Sequence, residues 1–264
     1  SSFSACDSEP PIASKWGSLM SNKRRKVYRW NGEIAMSVYQ DVVNSEEDAG
    51  EFFFNLANKN AVAYRSGTRQ MIRIKQDPKL KDCTGGIVWE TAFLLATFLE
   101  EAAGSGDGEA KLPPRDSKVL EIGAGCGLLG LVLATHGLRV TLTETTQALD
   151  NLTLNVTDSR NEASFEAEGG TARAALLRWD VPEDRGALFS SSGKSSSSSS
   201  SSSSGGGNEK KFDVVVGTDT FFDKALVAPL LDTVHACCHK RSVVWLCFQE
   251  RCAAAHAELL KLAP

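Results

Sequence analysis

Lys118-Val119-Leu120-Glu121-Ile122-Gly123-Ala124-Gly125-Cys126-Gly127-Leu128-Leu129-Gly130 joins an apolar run to Glu-x-Gly-x-Gly-x-Gly and then to a second apolar segment. The run reads as a buried strand, and a helix is expected to begin at Gly127. A second apolar run, Arg139-Val140-Thr141-Leu142-Thr143, ends on an acid, Glu144. Glycines at a strand-to-helix turn let the backbone pass against a ligand, because a side chain would block it and some turn positions need φ > 0. An acid at the end of the next strand can accept hydrogen bonds from both hydroxyls of a ribose. The pattern predicts a nucleoside-cofactor site.

Two cofactor classes use this plan, and register separates them. Gly125-x-Gly127-x-x-Gly130 satisfies the dinucleotide pattern. In that pattern the first glycine follows the strand directly. Here that glycine is Gly123, and the position five residues beyond it is Leu128. The register that fits the strand is Gly123-x-Gly125-x-Gly127 with Glu121 leading. It resembles the motif of S-adenosylmethionine-dependent methyltransferases, in which no pyrophosphate needs a helix N-terminus.

The 264 residues fit one domain with an extension and can bury a full core. Hydrophobic content of 42% and charged content of 23% are those of an ordinary globular protein. A net charge of −4 gives no support for a nucleic-acid footprint. The one basic run, Lys23-Arg24-Arg25-Lys26, reads as a solvated patch. Neither an apolar stretch of membrane-spanning length nor a secretory h-region is seen, so no membrane association is expected. The seven cysteines are scattered without a Cys-x-x-Cys pair, which points to reduced thiols in a cytoplasmic, or also nuclear, protein. The four histidines lack metal-ligand spacing, so no metal is expected.

Residues 1–59 are expected as an N-terminal extension, with a strand around Val27–Trp30 and a short helix around Glu46–Leu56. The domain proper is expected over 60–264. It opens with a β-hairpin, Ala61–Arg65 and Met71–Ile74, and an apolar helix that follows Gly85–Trp89. Beyond Lys118 strands near 118–122, 139–143, 173–178, 212–217 and 242–248 alternate with helices near 127–136, 146–156, 223–237 and 252–262. Continuous apolar strands of this kind belong to a parallel sheet covered on both faces. The expected fold is a doubly wound, mostly parallel, Rossmann-like α/β sheet. A Ser/Gly-rich stretch, 186–210, breaks the pattern and is expected as a flexible insertion.

Further motifs now fall in order: Gly85-x-x-x-Trp89, Val119–Gly125, Val140–Glu144, Asn151–Asn155, Leu177-Arg178-Trp179 and Phe212–Asp219. Together they resemble the family-16 seven-β-strand protein-lysine methyltransferases. Gly85–Ala92 and Gln249-Glu250-Arg251 are similar to the branch that methylates valosin-containing protein. The resemblance implies a monomeric enzyme that uses S-adenosylmethionine to methylate a lysine on a protein, such as a chaperone, ATPase or translation factor. It implies a cofactor site of Trp89, Glu121, Gly123, Ala124, Gly125, Gly127, Glu144, Trp179 and Thr218. In that site Trp89 lies near the sulfonium, where a cation on an aromatic face gains ~0.5–2 kcal/mol. Glu144 takes the ribose, Trp179 the adenine, and Thr218 the cofactor backbone. Asp219 and Phe222 are assigned to the target amine.

The chain departs from the family at two places. The family's Asp-x-x-Tyr is here Asp219-Thr220-Phe221-Phe222, which keeps an aromatic wall and loses a hydroxyl. The family also continues into a C-terminal hairpin that completes its sheet, whereas this sequence stops at Pro264. An uncovered edge is therefore expected beside the strand near 242–248.

Overall fold

A computed structural model describes residues 24–30, 34–40, 59–104, 112–190, 211–249 and 251–262. Its elements, in chain order, begin with β1 (Arg24–Trp30), β2 (Ile34–Gln40), β3 (Ala61–Arg65), β4 (Met71–Lys75) and α1 (Glu90–Gly104). Then come β5 (Lys118–Ile122), α2 (Leu128–Ala134), β6 (Arg139–Glu144), α3 (Thr146–Val156) and α4 (Ser159–Glu166). The last are β7 (Thr171–Leu176), α5 (Pro182–Ser190), β8 (Phe212–Thr218), α6 (Lys224–Cys237), β9 (Cys238–Cys247) and α7 (Ala253–Leu262).

Seven strands form one sheet in the order β1-β2-β9-β8-β5-β6-β7, and β3 and β4 form a separate hairpin. Every neighbour pair in the large sheet is parallel except β1 with β2. The period of two along each strand sorts side chains between two cores. Val119, Val214, Val216 and Trp245 face one core with α1 and α2, which the β3–β4 hairpin covers through Val62, Tyr64, Ile72 and Ile74. Leu120, Ile122, Val215, Val244 and Leu246 face the other, against Leu230 and Leu231 of α6 and Leu259 of α7. With both faces covered, the strands take mostly apolar residues on either side, and this is why β5, β8 and the second half of β9 read as largely apolar runs.

The chain runs from β5 outward through β6 to β7, then crosses back to β8 and on to β9. Strand order thus reverses between β5 and β8, and the carboxyl ends of these two strands flank the crevice where open α/β sheets hold ligands. The doubly wound sheet is as expected.

Several boundaries differ from the expectation. Strand β9 begins at Cys238 because Phe212 pairs with Cys238 across an irregularity that precedes Val214. Helix α5 runs to Ser190, so 186–190 close a helix instead of opening the insertion; 191–210 lie outside the described residues. Helix α4 was not foreseen at all. The helix expected around Glu46–Leu56 also lies outside the described residues. The edge expected to be bare is occupied: β2 lies parallel to β9, with Met36 opposite Val244 and Tyr39 opposite Cys247. A strand from the first 59 residues therefore extends the sheet beside β9.

Candidate active site

At the end of β5 the backbone turns through Gly123 (φ 62°), Gly125 (φ 55°) and Gly127 (φ 88°), all in the left-handed region that only glycine enters freely. A Cβ at Gly123 would come within 3.2 Å of the Trp179 ring and 3.3 Å of Thr220. At Gly125 a Cβ would make only ordinary contacts, 3.9–4.0 Å from the Gly85 and Ile87 backbone, so its left-handed φ and not crowding is what calls for glycine there. Gly127 serves packing instead: its Cβ would sit 2.7 Å from Leu152. The turn is fastened to β6 by Ala124, whose N–H donates to the Thr143 carbonyl at 2.8 Å.

Glu144 closes β6 and lies 8% exposed. Its Oε1 accepts the Gly125 N–H at 2.9 Å, and its Oε2 accepts the Thr145 N–H at 2.7 Å. Burial raises its carboxyl above the usual range, against the pull of the Thr145 and Gly125 bonds. Oε2 also accepts the Thr145 hydroxyl at 3.3 Å, a long bond that a ribose hydroxyl can replace. Oε1 keeps a lone pair, so a diol can be accepted without displacing the loop backbone.

Glu121 faces the other way. Its Oε2 accepts the Gly130 N–H at 2.9 Å inside α2. Burial, first, and the nearby Glu144 charge lift its carboxyl to about 8, with the Gly130 bond opposing them. Glycine is required at 130 because a Cβ would stand 2.4 Å from that same oxygen. The Glu-x-Gly-x-Gly-x-Gly motif therefore splits. Gly123 and Gly125 border the cleft, while Glu121, Ala124 and Gly127 hold the turn from behind.

One cleft brings together Trp89, Gly123, Gly125, Glu144, Trp179, Thr218, Asp219 and Phe222 of the expected residues. Thr84, Gly85, Thr145, Asp180, Thr220, Leu226 and Arg251 also line it. Trp179 rides over the glycine turn, and Phe222, 43% exposed, forms the outer rim. Asp219 sits just past β8 with φ 50°, a conformation aspartate tolerates better than most side chains. Its N–H donates to the Cys247 carbonyl at 2.9 Å, and its Oδ1 accepts from the Gln249 N–H at 3.0 Å. These bonds tie it to the end of β9.

Sequence reading assigned no role to Arg251 or Glu90. Arg251 Nη2 donates to Asp219 Oδ2 at 3.0 Å and to Glu90 Oε1 at 2.7 Å. Its guanidinium carbon lies 4.6 Å from the centre of the Trp89 ring. Trp89 Nε1 in turn donates to the Thr84 carbonyl at 2.9 Å, which fixes the indole. Glu90 is 4% exposed, and burial raises its carboxyl although Arg251 pulls it down. No local pattern could have revealed this cluster, because Glu90 and Arg251 are joined only by the fold.

Residues 67–188 match the family model described as "Lysine methyltransferase". The chain is 38% identical over 163 residues to the zebrafish (Danio rerio) Protein N-lysine methyltransferase METTL21A, covering 62% of this chain and 59% of that one. It is 30% identical over 166 residues to the mouse (Mus musculus) Protein-lysine methyltransferase METTL21E, covering 62% and 57%. To the mouse EEF1A lysine methyltransferase 3 it is 26% identical over 164 residues, covering 62% and 55%. The chain thus spans somewhat over half the length of the curated relatives it matches. Over residues 67–188 the chain is similar to the lysine methyltransferase family.

Proposed function

We propose that the chain is a protein-lysine N-methyltransferase that takes S-adenosylmethionine in the crevice between β5 and β8. The observation that carries this reading is one cleft with two chemically distinct ends. A glycine turn with a diol-accepting carboxylate, Glu144, lies at one end, and a pinned carboxylate, Asp219, at the other.

The residues fit the cofactor. Gly125 lines the cleft beside a buried acid, and Gly123 and Trp179 offer a backbone edge and a flat indole. Glu144 and Thr145 would hold the ribose, Trp179 the adenine, and Trp89 and Thr218 the methionine end. The bound cofactor would supply an electrophilic methyl group on a positively charged sulfur.

The protein's own part lies in presenting a nitrogen lone pair. A lysine ammonium has none, so the side chain must release a proton before it can act. Asp219 can accept an N–H from the amine and offset the positive charge that grows on nitrogen as the N–C bond forms. Phe222 and Leu226 wall the approach and restrict the water around the amine. Alignment in a dry cleft supplies most of the rate, and a strong base is not required. The hydroxyl that Phe222 lacks is therefore not needed for proton removal.

Relatives named for protein lysine support a protein substrate, and the one named for EEF1A makes a translation factor a candidate. The match of Gly85–Ala92 and Gln249–Arg251 to the valosin-containing-protein branch adds an ATPase of that kind. A monomer working in the cytoplasm, and also in the nucleus, is the accompanying proposal. The scattered cysteines, none of them in a Cys-x-x-Cys pair, support that setting.

Purified protein incubated with tritium-labelled S-adenosylmethionine and cell extract should label a protein band at lysine. The Asp219→Asn variant should bind S-adenosylhomocysteine normally and label nothing. Binding without any labelled protein would leave a cofactor-binding module in place of an enzyme.

A further inference from the structure

The Arg251 cluster lies at the acceptor end of the cleft, and the reading above gives it no work. Arg251 is the only described side chain with ionic contacts to both Asp219 and Glu90. Its guanidinium has carboxylate oxygens at 2.7 and 3.0 Å and an indole centre at 4.6 Å. Two acids and an aromatic ring around one cation are what a protein uses to hold an alkylammonium group.

Glu90 points to the same chemistry independently. It begins α1, where one oxygen meets Arg251 and the other, Oε2, is buried with no hydrogen-bond partner among the described residues. A buried carboxylate oxygen left unpaired is costly. A guanidinium that shares a single Nη2 between two acids leaves that cost in place. A primary ammonium has three donors that rotate about one nitrogen, and it can serve both carboxylates more fully.

We propose that Glu90, Asp219 and Trp89 form the receptor for the primary ammonium of the incoming lysine, and that Arg251 fills this receptor in the free protein and is displaced by it. This deepens the methyltransferase reading and rests on it for the identity of the amine. Displacement also has a chemical use. The ammonium enters a cradle of two negative charges, and the returning guanidinium would compete with it once the proton has left. Filling by Arg251 keeps two carboxylates from being stranded without a cation when no substrate is present. Arg251 thus sets how tightly lysine is held: affinity is scaled by the fraction of molecules in which the guanidinium has left the receptor.

The test uses n-butylammonium as the probe, titrated calorimetrically into the full chain with and without S-adenosylhomocysteine. Arg251→Gln should bind it about tenfold tighter than wild type, the change expected when a competitor is removed. Adding Glu90→Gln or Asp219→Asn to Arg251→Gln should abolish that gain. In the wild type, the Arg251 guanidinium NMR signal should shift to that of a solvated arginine as the probe saturates. Equal or weaker binding by Arg251→Gln would overturn the proposal. So would saturation of the wild type with the Arg251 signal unmoved. If Arg251→Gln fails to fold, Arg251→Met, which keeps an apolar stem and removes the competing charge, should show the same direction of change. Failure of every protein to bind S-adenosylhomocysteine would count against the methyltransferase reading alone, because the probe titration without it still reports on the cradle.

Discussion

Glu144 is bonded at both oxygens, so in the proposed site it would shape the glycine turn and receive the ribose with the same carboxylate. Its replacement by alanine should weaken S-adenosylhomocysteine by about 1.5–3 kcal/mol, the worth of charge-assisted hydrogen bonds. Calorimetric titration would measure it, and an unchanged affinity would remove Glu144 from the ribose site. Glu121 makes a different prediction. Its carboxyl titrates near 8 in the fold against the ordinary 4.5, so the unfolded chain gives up this proton first. The contribution to stability is fully present below ~4.5 and is lost as pH climbs toward 8. Glu121→Gln should therefore gain on wild type by on the order of 3 kcal/mol between acid and neutral pH, read from urea denaturation across that range. The sequence showed where these acids stand but not which way they face. Glu121 and Glu144 both sit by the glycine turn; only the packing of α2, which brings the Gly130 N–H to Glu121, turns one away from the cleft.

At the level of elements, the β3–β4 hairpin is held by two buried asparagines that act as a substitute strand. Asn161 accepts from the Arg73 N–H at 2.8 Å and donates to the Arg73 carbonyl at 2.7 Å. Asn155 does the same for Lys75, at 2.8 and 3.0 Å. Alternate residues on one edge of β4 are thereby paired without a backbone partner. Asn161→Ala should destabilise the protein by about 1–3 kcal/mol for each polar group left buried and unpaired. Asn161→Asp should do similar harm, because it keeps the acceptor and loses the donor. Equilibrium unfolding of the two variants checks both. This arrangement explains why α4 was illegible. Its buried residues are Asn161, Ser164 and Phe165, so it presents hydrogen-bonding groups to the core where a reader looks for an apolar stripe. The strands of the parallel sheet were legible for the opposite reason: burial on both faces leaves them mainly apolar, with few buried polar residues such as Glu121, Thr141 and Thr143. Strand β2 is interrupted by Ser37, and the pairing partner that defines it is remote in sequence.

For the whole molecule, a ligand that binds only the folded state stabilises it by mass action. S-adenosylhomocysteine at 100 times its dissociation constant should add about 2.7 kcal/mol, seen as a rise in melting temperature. NADH should add nothing, because the strand register places Leu128 where a dinucleotide turn needs glycine. Stabilisation by NADH alone would reverse the cofactor assignment. The sheet's far edge has its own test. Deleting residues 1–40 strips β2 from β9 and exposes a parallel edge, so the truncated chain should aggregate at concentrations where the full chain stays dispersed, as light scattering would show.

The pairing of Met36 with Val244 also has a bearing on biosynthesis. About two hundred residues must leave the ribosome after β2 before β9 can meet it. At typical elongation rates that is a wait of roughly ten to forty seconds. During this interval β1 and β2 have each other and no sheet to join. Two strands made well before the rest of the sheet are among the last to be seated, and a nascent chain of this design gains most from a chaperone that shelters them until β9 has emerged.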